Sequence, residues 1–584
     1  MRAFLNELPP MMFFRITRPA LATSLAGAAW LASALPAWGQ GALRGNPVDA
    51  LPPLERPAPT QPATSPVIAV PSPEEEAIRQ RLAQRLVPRH FDVTGVRTLP
   101  FDQVQAVLQP LAGKETTIGQ LAQEVNKITA LYQEAGYPLS FALLQDQTFA
   151  NGLVVVTVVE GHVGAVRIEG DLGSAEDRLR TLAQPLVDQK PLTRELLERQ
   201  LNLMRGVPGV TFTPALDLPR RADGASELVL TGTHKPFGVN GGVSDLGTGV
   251  QGLVNMSANS LTPLGEQVRL TAAVPVNQDD VRYFAGDIRV PVGSDGLAVK
   301  VDGYTYRARP DDQALEYLGF DRKVRNQRIG VGLSYPLLLN NTRSLTVSGG
   351  VYATQSRDIY NRDIDGAQFE QDVRVRAATT QLHYVETGQR QSRDISLSVS
   401  RGFDAAGARQ GITSNFGFTG SPNVDLDFTR WNLEAKQSVM LPAQFGVTLS
   451  GAAQYSSDVL PNTEQISFGS WRYAMGYPQG EQSGDKGFGV SLELNRRFAI
   501  GATYLSVVQP YIMADYARTW YNAQSLRVFN DRQLVSAGLG FRVTDDRYYL
   551  FDFNAAKPMG ERTVNGNDRD WRFNANYSVF YDAF

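Results

Sequence analysis

The residues that could carry chemistry are few and scattered. The four histidines, His90, His162, His234 and His383, stand too far apart in sequence to suggest a ligand pair. There is no cysteine, which removes disulfides, thiolate metal sites and a lipidated cysteine. No HExxH, GxSxG, P-loop or GxGxxG pattern stands in a credible context, so neither catalysis nor a bound cofactor is expected. What remains is one glycine-punctuated stretch, Gly476-Tyr477-Pro478-Gln479-Gly480-Glu481 followed by Gly484-Asp485-Lys486-Gly487. Its glycines allow tight turns in a narrow space.

The elements around that stretch set its surroundings. The formal net charge of −3 offers no bulk positive field for nucleic acid. Residues 1–39 read as a secretory signal: Arg15 and Arg18 precede an apolar run from Ala20 to Leu35, and Ala37-Trp38-Gly39 suits cleavage. Residues 40–72 are rich in proline (Pro47, Pro52, Pro53, Pro57, Pro59, Pro62, Pro66, Pro71) and read as an extended linker. A short helix is expected within 73–89, opened by Ser72-Pro73-Glu74-Glu75 and running to about Leu86.

Residues 90–161 and 162–236 repeat one order of elements, strand–helix–helix–strand–strand, with a period of about 72 residues. Helices are expected at 101–112, 117–135, 175–186 and 193–204. From residue 237 to 584 helical periodicity disappears and alternation with period 2 takes over. Leu345, Val347, Gly349, Val351 and Ala353 alternate with Thr346, Ser348, Gly350, Tyr352 and Thr354, and Trp571, Phe573, Ala575, Tyr577, Val579 and Tyr581 form a last strand. Such strands, one face apolar and the other small and polar, predict an antiparallel transmembrane barrel of about 16 strands. Longer stretches, 357–372, 402–427 and 457–487, are expected as external or lumenal loops, and turns such as 339–341 and 441–443 as periplasmic ones.

The chain then resembles the two-partner secretion transporters (TpsB, haemolysin-activator type), within the superfamily of POTRA-bearing outer-membrane barrels. Three stretches between residues 90 and 584 carry the resemblance. Gly136-Tyr137-Pro138 with Gln145-Asp146-Gln147 and Asn151 to Gly161 is similar to the end of a first POTRA domain. Leu196 to Leu203 with Val207-Pro208-Gly209-Val210 is similar to the second helix and turn of a second one. The Gly476–Gly487 stretch, followed by Leu492-Glu493-Leu494, resembles the inward-folded loop of about 457–487 that bears a Val-Arg-Gly-Phe/Tyr tetrad.

The tetrad falls on Ala474-Met475-Gly476-Tyr477, so Met475 stands where the family has arginine. The resemblance implies that this arginine pairs with a wall aspartate, matched here by Asp515, and pins the loop. With Met475 in place, Asp515 needs another donor. Arg472 is the leading alternative, with Lys486 and Arg518 behind it. A second departure is at the N-terminus, where the expected helix lies too close to His90 to cross the pore as a plug. The resemblance further implies a monomeric outer-membrane protein, embedded in outer-membrane lipid with its POTRA domains in the periplasm. It would export a large unfolded exoprotein of the adhesin, cytolysin or contact-dependent toxin type. A barrel insertase is the alternative; a passive porin would lack the 90–236 repeat.

Overall fold

A computed structural model describes residues 68–69 and 82–581, apart from 146, 565 and stretches within 218–222, 246–249, 276–280, 311–318 and 525–531. The expected signal peptide, most of the linker and the start of the expected helix lie outside the described residues.

The first α/β unit holds the strand His90–Thr94 parallel to Leu153–Val159, which pairs antiparallel with Phe141–Leu144. Two helices, α1 (Phe101–Leu108) and α2 (Ile118–Glu134), cover this sheet. Thr117 starts α2 through a reciprocal capping box with Gln120, which satisfies two otherwise orphan amides. Leu121, Val125, Ile128 and Tyr132 recur on one face of α2 and are buried against Val154, Val156 and Val158, alternate residues of the central strand. Arg85–Leu86 do not continue a helix: they pair antiparallel with Thr116–Thr117. Pro88 follows closely, and the residue before a proline disfavours helical backbone.

In the second unit His162–Glu169 runs parallel to Ala225–His234, which pairs antiparallel with Val210–Asp217. Helices α3 (Ala175–Asp188) and α4 (Arg194–Arg205) bury Leu179, Leu182, Leu186, Leu197, Leu201 and Met204 against it. The two units are joined rigidly, since Leu139 of the first is part of the second's core and the Arg194 amide donates to Gly136 O at 2.7 Å. Ile68–Ala69, within the stretch read as linker, add a short parallel strand beside Leu216–Asp217.

Beyond Phe237 the chain forms a closed antiparallel barrel of 16 strands, sealed where Phe237–Asp245 meets Arg572–Tyr581. Its outward face is apolar: Ile329, Val331 and Leu333 are exposed, while the intervening Arg328, Gly330 and Gly332 face inward. The stretch 357–372, read as a loop, is instead two strand ends joined by a four-residue turn at 363–366. Arg343–Arg362 and Ala367–Thr387 are tied to each other by Arg357–Glu370 (2.9 Å), and Arg322–Asp358 (2.8 Å) ties the first of them to Phe320–Leu339. Charges that read as loop are cross-strand partners. Within 402–427 lie a strand, Arg409–Ser414, and buried Leu426, which packs with Phe428 and Leu460.

The second unit docks on the turns at one end of the barrel. Arg199 pairs with Asp295 at 2.9 Å, Asn202 donates to Asn341 at 3.0 Å, and the Ser260 hydroxyl donates to Pro208 O at 2.9 Å.

Candidate functional site: the lumenal loop

Strands Phe445–Tyr455 and Lys486–Arg496 are neighbours in the wall, yet thirty residues of sequence lie between them. That connection does not leave the barrel. Residues 460–485 fold inward as a hairpin, Ile466–Phe468 against Gln482–Gly484, and almost all of them are buried. Phe468 meets Tyr473 edge to face at 6.0 Å, and Ile466, Phe468, Ala474 and Tyr477 share a small core with Ala452, Ala517 and Leu534 of the wall.

Asp515 lies on the strand Leu505–Trp520, in the inward phase of alternation, and is 4% exposed. Its register partners are Ser491 and Ser536. No cation reaches its carboxylate among the described residues. Instead the Met475 backbone N–H donates to Oδ2 at 2.9 Å, and the Ser536 hydroxyl donates to Oδ1. The Gly476 N–H then donates to Ser536 Oγ at 3.1 Å. Two consecutive loop amides therefore bind an aspartate–serine pair on the wall, a charge-assisted arrangement that needs no side chain at 475.

The expected substitute is absent. Arg472 reaches Glu434 at 3.4 Å, on a strand elsewhere in the wall. Between Arg472 and Met475 the chain turns, with positive φ at Tyr473 and Ala474, so the two residues meet different parts of the wall. Arg518 donates to Asn530 O at 3.1 Å and lies over the Trp520 ring, and Lys486 opens a wall strand beside Asp485.

The remaining motif residues hold the loop at other points. Tyr477 donates through its hydroxyl to Glu561 O at 2.8 Å. Glu481 is 6% exposed, accepts from Arg532 at 2.8 Å and takes the Val564 amide at 2.7 Å. Asp485 is fully buried and accepts amides from Leu460 (2.9 Å) and Asn522 (2.7 Å). Gly480 does turn the chain, with φ +66°. Gly476, Gly484 and Gly487 serve close approach instead: a Cβ on Gly476 would stand 2.6 Å from the Lys557 carbonyl carbon, and on Gly484 or Gly487 2.7 Å from the wall backbone. The sharp turns at the tip fall on Ser470, Tyr473 and Ala474, all with positive φ.

Sequence reasoning missed Ser536, Arg532 and a second lumenal network. There Arg542 pairs with both oxygens of Glu493 (2.8 and 2.7 Å) and with Asp552 (2.8 Å), and Tyr511 donates to Asp552 at 2.6 Å. The signal that could have found all but Arg532 is phase: Ser536, Glu493, Tyr511, Arg542 and Asp552 stand at inward positions of wall strands, whereas Arg532 lies just before one. Chemically the site holds a loop against the wall through hydrogen bonds and an ion pair.

Comparison with known proteins places this geometry. A family model described as "Haemolysin secretion/activation protein ShlB/FhaC/HecB" matches residues 224–543, and "POTRA domain, ShlB-type" matches 86–161. The heme/hemopexin transporter protein HuxB of Haemophilus influenzae (strain 86-028NP) is 21% identical over 479 residues, covering 80% of this chain and 82% of that one. The outer membrane transporter CdiB of Escherichia coli is 24% identical over 523 residues, covering 85% and 82%. The solved structure of CdiB from Escherichia coli superposes with a TM-score of 0.65 at 18% identity, over 88% of this chain and 94% of that one, and so shares its fold. Since the first of these models spans more than half of its length, the chain belongs to the ShlB/FhaC/HecB family of haemolysin secretion/activation proteins.

Proposed function

We propose that this chain is the outer-membrane transporter of a two-partner secretion system, which binds a large unfolded exoprotein in the periplasm and passes it through the barrel. The observation that carries this reading is the combination in one chain of docked POTRA-type units and a closed barrel whose lumen is occupied by a fastened loop. A chain can pass only if that loop yields. Its fastening is a handful of hydrogen bonds, each worth about 1 kcal/mol net, or somewhat more where a charge takes part.

Recognition falls to the periplasmic units. Among the described residues His90–Thr94, Phe141–Leu144 and His162–Glu169 are edge strands, with no further strand beside them. An arriving unfolded segment adds a strand there, backbone to backbone, with affinity that does not depend on a single sequence. HuxB and CdiB carry the names of transporters of heme/hemopexin and of the outer membrane, and their relationship supports an exoprotein cargo of the same broad kind. The work is binding and conformational, with no bond made or broken.

The test is co-production with the large exoprotein encoded in an adjacent reading frame, in a strain lacking other such transporters. Release of the exoprotein into the medium, dependent on this chain, is the expected result. Retention in the periplasm beside a heat-modifiable, folded barrel would overturn the reading.

A further inference from the structure

Where the second α/β unit meets the barrel, a cavity of about 580 Å³ opens toward the lumen. Four cationic side chains line it: Arg178 of α3, Arg205 of α4, Lys235 ahead of the first wall strand, and Arg289 in the wall. None of the described lining residues is an Asp or Glu. Two carboxylates outside the lining are ion-paired with other arginines, Asp295 with Arg199 at 2.9 Å and Asp287 with Arg269 at 3.0 Å, and Asp287 also acts electrostatically on Arg289.

Arg178 is the most telling of the four. It is only 6% exposed, one of its terminal nitrogens donates to Gly293 O at 2.5 Å, and its Nε is buried with no hydrogen-bond partner. Burial pulls its pKa, and that of Arg205, below the ordinary guanidinium value. An unmatched buried guanidinium is costly unless an anion completes it. The fold holds it in place regardless: Gly265, at φ +72°, lets a wall turn press on the Arg178 stem, where a Cβ would stand 2.6 Å from its Cγ.

The cavity faces the conduit and not the lipid. Its wall positions Ser257, Arg289 and Ser334 alternate with Met256, Ile288 and Leu333, which are exposed on the outer face. The Val207-Pro208-Gly209-Val210 turn forms its floor, which gives that sequence motif a place in the structure.

Resting on the transporter reading above, we propose that this cavity is the intake of the conduit and captures acidic, extended segments of the exported chain, their carboxylates set against Arg178, Arg205 and Arg289. Strand addition on the periplasmic sheets reads backbone; this site reads charge. It draws carboxylate-bearing segments toward the lumen and away from the sheet edges.

The test uses the purified full-length protein and a fluorescent oligoglutamate peptide, with an oligoglutamine peptide of equal length as the control. The wild type should bind oligoglutamate at least about tenfold more tightly than oligoglutamine, with the difference shrinking as salt rises. Arg178→Gln with Arg205→Gln and Arg289→Gln should remove that preference. Because Arg178 also holds the docking turn, the Arg205→Gln, Arg289→Gln pair is measured beside it, and Arg205→Lys with Arg289→Lys should keep the preference. Equal binding of the two peptides, or glutamine variants that bind like the wild type, would overturn the proposal. So would glutamine variants that lose preferential retention of phosphatidylglycerol over phosphatidylcholine but bind oligoglutamate unchanged, since the site would then hold a lipid headgroup. Export of the exoprotein by the wild type is scored separately, so an empty intake and a failed transporter reading give different results.

Discussion

Met475 holds Asp515 with its backbone: its amide donates to Oδ2 at 2.9 Å, at the position where the sequence resemblance predicts an arginine side chain. The relationship needs no arginine at 475, because the amide is common to every residue but proline. Ser536 shares the carboxylate and also takes the Gly476 amide, so the fastening is a small network and not a single ion pair.

Removing the acceptor should therefore matter more than changing residue 475. Asp515→Ala leaves the Met475 amide and the Ser536 hydroxyl short of a partner in a buried place, at a cost of about 1–3 kcal/mol. The chain has no native cysteine, so a single cysteine at Gln479, buried in the loop, reports loosening by its labelling rate. Labelling should be clearly faster in Asp515→Ala, with export impaired. Met475→Arg should label like the parent and export normally. If Asp515→Ala labels no faster than the parent, Asp515 does not fasten the loop.

Arg472 should prove nearly silent. Its contact with Glu434 is long, 3.4 Å, and Glu434 is 63% exposed. An ion pair this long with one partner open to solvent is worth about 0–1 kcal/mol. Arg472→Ala and Glu434→Ala should each leave the Gln479 labelling rate within about twofold of the parent, a change of well under 1 kcal/mol. A loop released by Arg472→Ala would return that residue to the role the sequence first suggested.

Much of the architecture was legible because its physics is periodic. Lumen and lipid impose opposite demands on successive residues, so the barrel shows in the alternation of 345–354 and of 571–581. The paired α/β units show in the apolar face of α2 and the leucine faces of α3 and α4. What could not be read has equally specific causes. A missing arginine prompts a search for another cation, but the donors to Asp515 are main-chain amides, which leave no mark in a sequence. The tip turns on Ser470, Tyr473 and Ala474 because the packed surroundings over-determine their backbone, while three of the motif glycines serve close approach. Residues 357–372 read as loop because charge is usually solvated, yet Arg357 pairs across strands with Glu370.

A pH effect is expected in the first periplasmic unit. Burial alone would raise the Glu160 pKa, but the amides of Arg97 (2.8 Å) and Thr98 (2.7 Å) and the hydroxyls of Thr98 and Tyr132 outweigh it and hold the carboxyl below its ordinary value of 4.5. A depressed folded-state pKa means that the stabilisation is fully present above the unfolded value and is lost as pH falls through the folded one. Hydrogen exchange at the Arg97 and Thr98 amides, corrected for the intrinsic pH dependence of exchange, should thus show protection that fades only below about pH 4.5. Glu160→Gln should lower that protection at neutral pH and flatten its fall in acid. Protection that is the same in both proteins at every pH would remove Glu160 from this role.

The seam of the barrel separates export through the lumen from release through the wall. Phe237–Asp245 and Arg572–Tyr581 close the barrel in continuous register, with Gly241 opposite Val579. Directly opposed residues in antiparallel strands lie about 4.5–5.5 Å apart at Cα, within disulfide reach. A Cβ at Gly241 meets nothing nearer than Leu253 O at 3.4 Å, so Gly241→Cys with Val579→Cys should fold and cross-link. A conduit through the lumen needs the Asp515 fastening to open but leaves the seam shut, so the oxidised double variant should export at close to the parental level. A barrel that inserts or releases chains sideways must part these two strands. Export that stops on oxidation and returns with reductant would place the path through the seam and reject the lumenal route.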